Sequence, residues 1–143
     1  MAARKVHKLN IAIDENYCLL GLASDEPDYK LCWLVNNELA MGFERMDDLE
    51  LYHKKTERKQ HFAMFQYEDE ETLLTYRIIK NRSEDGFFLD EFKNLDYVIH
   101  IQGEILPDDI DLFIQKVSGL QSVRMCVPVD LSKIKTRIRL ELW

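Results

Sequence analysis

Glycine and proline are scarce in this chain, with five and three among 143 residues. No low-complexity tract is present either, which argues against disorder. Phosphate cradles need glycines so that backbone amides can approach an anion. The sequence has no G-x-x-x-x-G-K and no G-x-G-x-x-G. It also lacks G-x-S-x-G and H-E-x-x-H, so no nucleophile elbow or zinc-protease helix is present. The three cysteines, Cys18, Cys32 and Cys126, are isolated and form no C-x-x-C pair. Odd in number and set in apolar surroundings, they are expected to be buried free thiols of a reducing cytoplasm. The four histidines, His7, His53, His61 and His100, share no ligand spacing. No catalytic residue, metal site or cofactor is therefore assigned, and the chain is read as more plausibly a binding protein than an enzyme. His100 falls within an alternating run and is expected to be a hydrogen-bonded sheet histidine, despite the fitness of imidazole for acid/base work.

A long apolar run is missing as well. None is long enough for a bilayer span or a signal peptide, so a cytoplasmic location is expected. An excess of basic charge is lacking too: the net charge is −7, which argues against nucleic acid or an anionic membrane as partner. Basic blocks (residues 4–8, 54–59 and 133–139) interleave with acidic ones (68–71, 84–91 and 104–111), as mixed solvated surfaces do.

What is present reads as one globular α+β domain over residues 1–143, with a largely antiparallel sheet of about six strands and two helices packed on one face. The first extended segment runs from Lys8 to Ser24. Pro27, with Asp25 or Glu26 as cap, then opens a helix whose Leu31, Leu34, Val35 and Leu39 recur at the spacing of a buried face. Gly42 is expected to end it. Tyr29, Trp33, Asn36 and Ala40 fall on the opposite side. Alternation marks strands at 61–67, 73–79 and 95–103, and the tail 135–143 reads as an edge strand guarded by Lys and Arg. The acidic run Glu68-Asp69-Glu70-Glu71 lies between two alternating segments. It has neither the Gly nor the ligand spacing of a calcium loop, so it reads as a solvated hairpin turn. The second helix is announced by Pro107, Asp108 and Asp109, carries Ile110, Phe113, Ile114 and Val117 on one face, and is expected to have Gly119 at its C′ position. A strand, a helix and a further strand through Val127 suggest a crossover unit.

Several local features are similar to a family of short bacterial proteins named for an IPExxxVDY signature. They are Asp28-Tyr29-Lys30-Leu31, Asn36-Asn37, Phe65-Gln66-Tyr67-Glu68-Asp69-Glu70, Thr75-Tyr76, Asp96-Tyr97 and Ile101-Gln102-Gly103. Val129-Asp130-Leu131 approximates the end of the signature, whose Ile-Pro-Glu element is missing. The resemblance implies no activity, substrate or catalytic residue.

Two functions from different classes fit these observations. The first is a non-enzymatic interaction module, most simply a homodimer, whose contact is the outer helical face of Tyr29, Trp33 and Asn36, unless the aromatic loop 81–92 folds over it. The second is a small-ligand-binding domain whose pocket is lined by Phe62, Phe65, Tyr67, Phe87, Phe88, Phe92 and Tyr97. Catalysis would instead require His100, His61 or a cysteine to meet a carboxylate in a cleft.

Overall fold

In a computed structural model, which describes residues 16–53 and 55–135, the chain forms the expected α+β architecture. Ten strands are present among the described residues: β1 (Tyr17–Ser24), β2 (Glu44–Arg45), β3 (Leu49–His53), β4 (Arg58–Phe62), β5 (Met64–Glu68), β6 (Thr75–Lys80), β7 (Arg82–Ser83), β8 (Gly86–Phe87), β9 (Tyr97–Gln102) and β10 (Val123–Pro128). The helices are α1 (Asp28–Leu39) and α2 (Pro107–Ser118). Six strands make one sheet in the order β10-β1-β9-β6-β5-β2, and every pairing in it is antiparallel. Two small hairpins, β3–β4 and β7–β8, complete the strands. The segments 8–15 and 136–143, read as strands from their alternation, lie outside the described residues.

The sheet is covered on both faces, and alternation along its strands explains why. On β9, Tyr97, Ile99 and Ile101 enter a core with both helices, while Val98 enters a second core on the other face. β1 divides likewise, with Cys18, Leu20 and Leu22 under the helices and Tyr17 and Leu19 opposite. Both helices lie on one face. Leu49 and Leu51 of β3, Phe62 of β4, and Phe88 and Leu89 of the loop close the other. That loop is held by Asn81, whose amide donates to Phe92 O and Leu95 O while its side-chain oxygen accepts from Leu89 N–H. Phe62 and Met64 face the second core, whereas Phe65 faces the first, as alternation along 61–67 requires.

β9, α2 and β10 form the crossover anticipated from sequence, but its strands are not neighbours. β1 lies between them and pairs antiparallel with both, so β9 and β10 run parallel to each other without touching. A register shift between Ala23 and Ser24 places Arg124 as an extra residue on β10. The irregularity puts Val123 and Cys126 beneath the helices, leaves Val127 exposed, and thereby breaks simple alternation.

α2 follows expectation closely: Pro107 is in its first turn and Ile110, Phe113, Ile114 and Val117 are buried. Gly119 caps it in ordinary right-handed geometry rather than the left-handed C′ conformation. α1 departs more. Pro27 itself occupies the N-cap, Leu31, Cys32 and Val35 are buried, and Leu34 and Leu39 are only partly so. The helix stops at Leu39, with Ala40 in the left-handed region at φ 55°, not at Gly42. The reason is Asn36, which accepts from Phe43 N–H at 2.8 Å and donates to Phe43 O at 3.0 Å. That clamp turns the chain back within a few residues, and Ala40 absorbs the bend.

Candidate functional site

Two surfaces deserve a chemical description, and both involve α1. Its N-terminal end is fixed by an elbow of polar contacts. Tyr97 Oη donates to Glu26 O, Ser122 Oγ donates to Glu26 Oε2 at 2.8 Å, and Ser24 Oγ donates to Ser122 O at 2.7 Å. Asp96 accepts from Ser24 N–H at 2.9 Å and joins Arg124, which also pairs with Asp25. Asp25 and Glu26 thus anchor the elbow rather than cap the helix. With the leucine side of α1 held on the sheet, Tyr29 is 69% exposed and Trp33 62% exposed. The loop 81–92 does not fold over them, since Phe88, Leu89 and Phe92 pack on the far face of the sheet. Asn36 is different. Expected on the outer face, it is half-buried and its amide serves the Phe43 clamp.

The other end of α1 borders a cleft of about 750 Å³. Its walls are Leu39 to Met41 at the end of α1, Tyr67 to Thr72 of the β5–β6 turn, and Asp109, Leu112, Phe113 and Lys116 of α2. Tyr67 stacks on Tyr76 with centroids 5.9 Å apart, and Tyr76 in turn meets Phe113 at 5.1 Å. The acidic turn is built by Asp69, whose Oδ1 accepts from the backbone N–H groups of Glu71 and Thr72. Leu73 closes it at φ 63°. The run is therefore a turn that rims a cleft. Burial pushes the Tyr76 phenol up to about 12, and burial together with Asp69, Glu71 and Glu70 raises that of Tyr67.

The seven aromatics expected to line a pocket do not converge. Phe65 and Tyr97 belong to the helical core, Phe62, Phe88 and Phe92 to the opposite one, and of the seven only Tyr67 reaches the cleft. Nor do the candidates for acid/base chemistry. His100 is buried, stacks on Tyr17 with centroids 5.0 Å apart, and has Nδ1 3.4 Å from Arg77 Nη1. Arg77, 8% exposed, also donates to Gln66 and Gln102. This polar network escaped the sequence reading because Arg77 lies in a run that looks apolar on its other side. His61 does meet carboxylates, with Nε2 2.9 Å from Glu50 and Nδ1 3.6 Å from Asp85, but on the exposed outside of the β3–β4 hairpin. The three thiols are buried, and desolvation pushes each up to about 12, so they are neutral at pH 7 and poor nucleophiles. Among the described residues no group of three or more His, Cys, Asp or Glu side chains is placed to hold a metal ion. Among the same residues no helix is long and apolar enough to cross a membrane.

Fold and surface together define an α+β protein with an antiparallel sheet, an aromatic helix face open to solvent and an acidic cleft. Compared with protein-family models, curated proteins and solved structures, the chain gives no match.

Proposed function

We propose that this chain is a non-enzymatic interaction module of the cytoplasm, whose contact surface is the outer face of α1 and whose partner is a second copy of itself. The observation that carries the reading is the exposure of Tyr29 and Trp33 one turn apart on a helix fixed at both ends. Exposed Trp and Tyr offer large apolar area and a polar handle at small entropic cost, which is why interfaces are rich in them. A two-fold contact brings a patch against itself and so favours one that is self-complementary. The three buried free thiols support a reducing compartment. Membership of the IPExxxVDY family is proposed on the motifs quoted above, and adds no activity to the reading.

The test is sedimentation velocity on the chain and on Trp33→Ala and Tyr29→Ala. The reading expects a dimer that either substitution shifts toward monomer while the circular dichroism spectrum and melting temperature hold. A monomer at every concentration, or a dimer indifferent to both substitutions, contradicts it.

A further inference from the structure

We propose that His61 is a pH-sensitive clasp, whose protonated ring fastens the β7–β8 turn to the outside of the β3–β4 hairpin and whose neutral ring loosens it. The ring stands between two carboxylates from different elements. Its Nε2 lies 2.9 Å from Glu50, its cross-strand neighbour on β3, and its Nδ1 lies 3.6 Å from Asp85 of the turn. A neutral imidazole has one N–H and one lone pair. It can donate to Glu50 or to Asp85, and either choice turns a lone pair toward the other carboxylate. Only the imidazolium offers a donor to both, and histidine changes between these forms near neutral pH. Lys59 faces Glu50 as well, at 3.5 Å. The bond to His61, with Lys59 beside it, holds the Glu50 carboxyl below its usual range, so Glu50 stays ionised wherever imidazole titrates.

The turn is built to lie there. The His61 backbone N–H donates to Asp85 Oδ2 at 3.0 Å, and Gln60 Nε2 donates to Asp85 O at 2.9 Å. Gly86 has φ 121°, and a Cβ on it would stand 3.1 Å from Gln60 Nε2, so glycine permits the close approach. These contacts keep Asp85 beside the ring in either state, and the charge on the ring sets how firmly. Beneath them Phe62 of β4 meets Phe88, next to β8, with centroids 5.7 Å apart in the core that both segments cover. The clasp joins two parts of one cover. It is firm at acidic pH and is lost as pH rises through the imidazole range, about 5 to 8. Exposed ion pairs contribute little, so the switch is a small one. It lies on the sheet face opposite the helices and does not rest on assembly through α1.

The experiment is amide hydrogen exchange of the full chain, followed by NMR at about pH 5.5 and about pH 8, on either side of the imidazole titration. Each rate is compared with that of an unstructured peptide at the same pH, which gives a protection factor. The His61 amide reports the attachment directly, because Asp85 is its acceptor. Its protection should be about threefold greater at the lower pH. Ile99, on the central strand β9, should not follow it. His61→Gln removes the titrating ring, and Asp85→Asn removes the charge it binds while keeping an oxygen that can accept from the same N–H. Each should abolish the pH dependence at position 61. Protection there that is absent, or equal at the two pH values, overturns the proposal. So does a dependence that survives His61→Gln, or one that Ile99 shares in equal measure, which would mean a change in global stability.

Discussion

The two helices are equal in length, twelve residues each, and rest on the same face of the same sheet, yet they use their apolar residues differently. α2 turns its regular stripe of Ile110, Phe113, Ile114 and Val117 wholly inward. α1 buries Leu31, Cys32 and Val35, yet carries Tyr29 and Trp33 on the side away from the sheet. Their ends differ too. α2 stops at a glycine with unstrained backbone, whereas α1 is bent at Ala40 by the Asn36 clamp on Phe43. Both helices leave apolar area in solvent, but α2 leaves one leucine, Leu112, whereas α1 leaves two large aromatics one turn apart.

What the helices share is the apolar bed, and alkali tests it with the largest effect. Cys18, Cys32 and Cys126 sit at about 12 against an ordinary 9.0, and Tyr76 at about 12 against 10.0. The folded chain then keeps protons that the unfolded chain would release. Stability from these groups is complete below about pH 9 and falls as pH rises toward 12. Urea unfolding between pH 8 and 11 should show midpoints falling steadily, and a flat profile would place the thiols in contact with water.

Single substitutions then separate the helices. Phe113→Ala, inside the α2 stripe and against the Tyr76 ring, should cost about 3–5 kcal/mol in chemical denaturation. Asn36→Ala strips both partners from the Phe43 backbone and should cost about 1–3 kcal/mol, an effect no outward-facing amide would produce. Ala40→Gly runs the other way. Relieving a left-handed alanine should stabilise by about 0.5–1 kcal/mol, read as a higher denaturation midpoint at unchanged slope. Trp33→Ala should be smallest, within about 0.5 kcal/mol for the monomer, despite removing the larger ring. A cost comparable to that of Phe113→Ala would erase the distinction between the helices.

The same contrast governs what could be read from residues alone. α2 was legible because core spacing, an N-terminal proline and early acids all agree on one helix. The strands around Tyr97, Ile99 and Ile101 were legible through alternation. In the stripe of α1, Leu31 and Val35 are buried as read and Leu34 and Leu39 only partly, while Cys32, which counts as weakly apolar, was missed and is buried with them. Asn36 looked like a polar helix residue, since its partner Phe43 lies past the helix end. The cleft was invisible for a stronger reason. Leu39, Tyr67 and Leu112 come from three elements that only the tertiary fold brings together, and no spacing rule joins them. The seven-aromatic pocket failed to form because Phe65 and Tyr97 enter the core on one face of the sheet and Phe62, Phe88 and Phe92 the core on the other. The exposure of Tyr29 and Trp33 followed from geometry at the outset, and hinged on where the loop 81–92 would go.

That exposure makes one measurement the most direct. Native mass spectrometry of the full chain, across a dilution series, reads assembly without any substitution. The account expects a doubled mass at micromolar concentration that divides into single chains on dilution and carries no other protein. A single-chain mass throughout that range would contradict it, and would leave the outer face of α1 without its proposed partner.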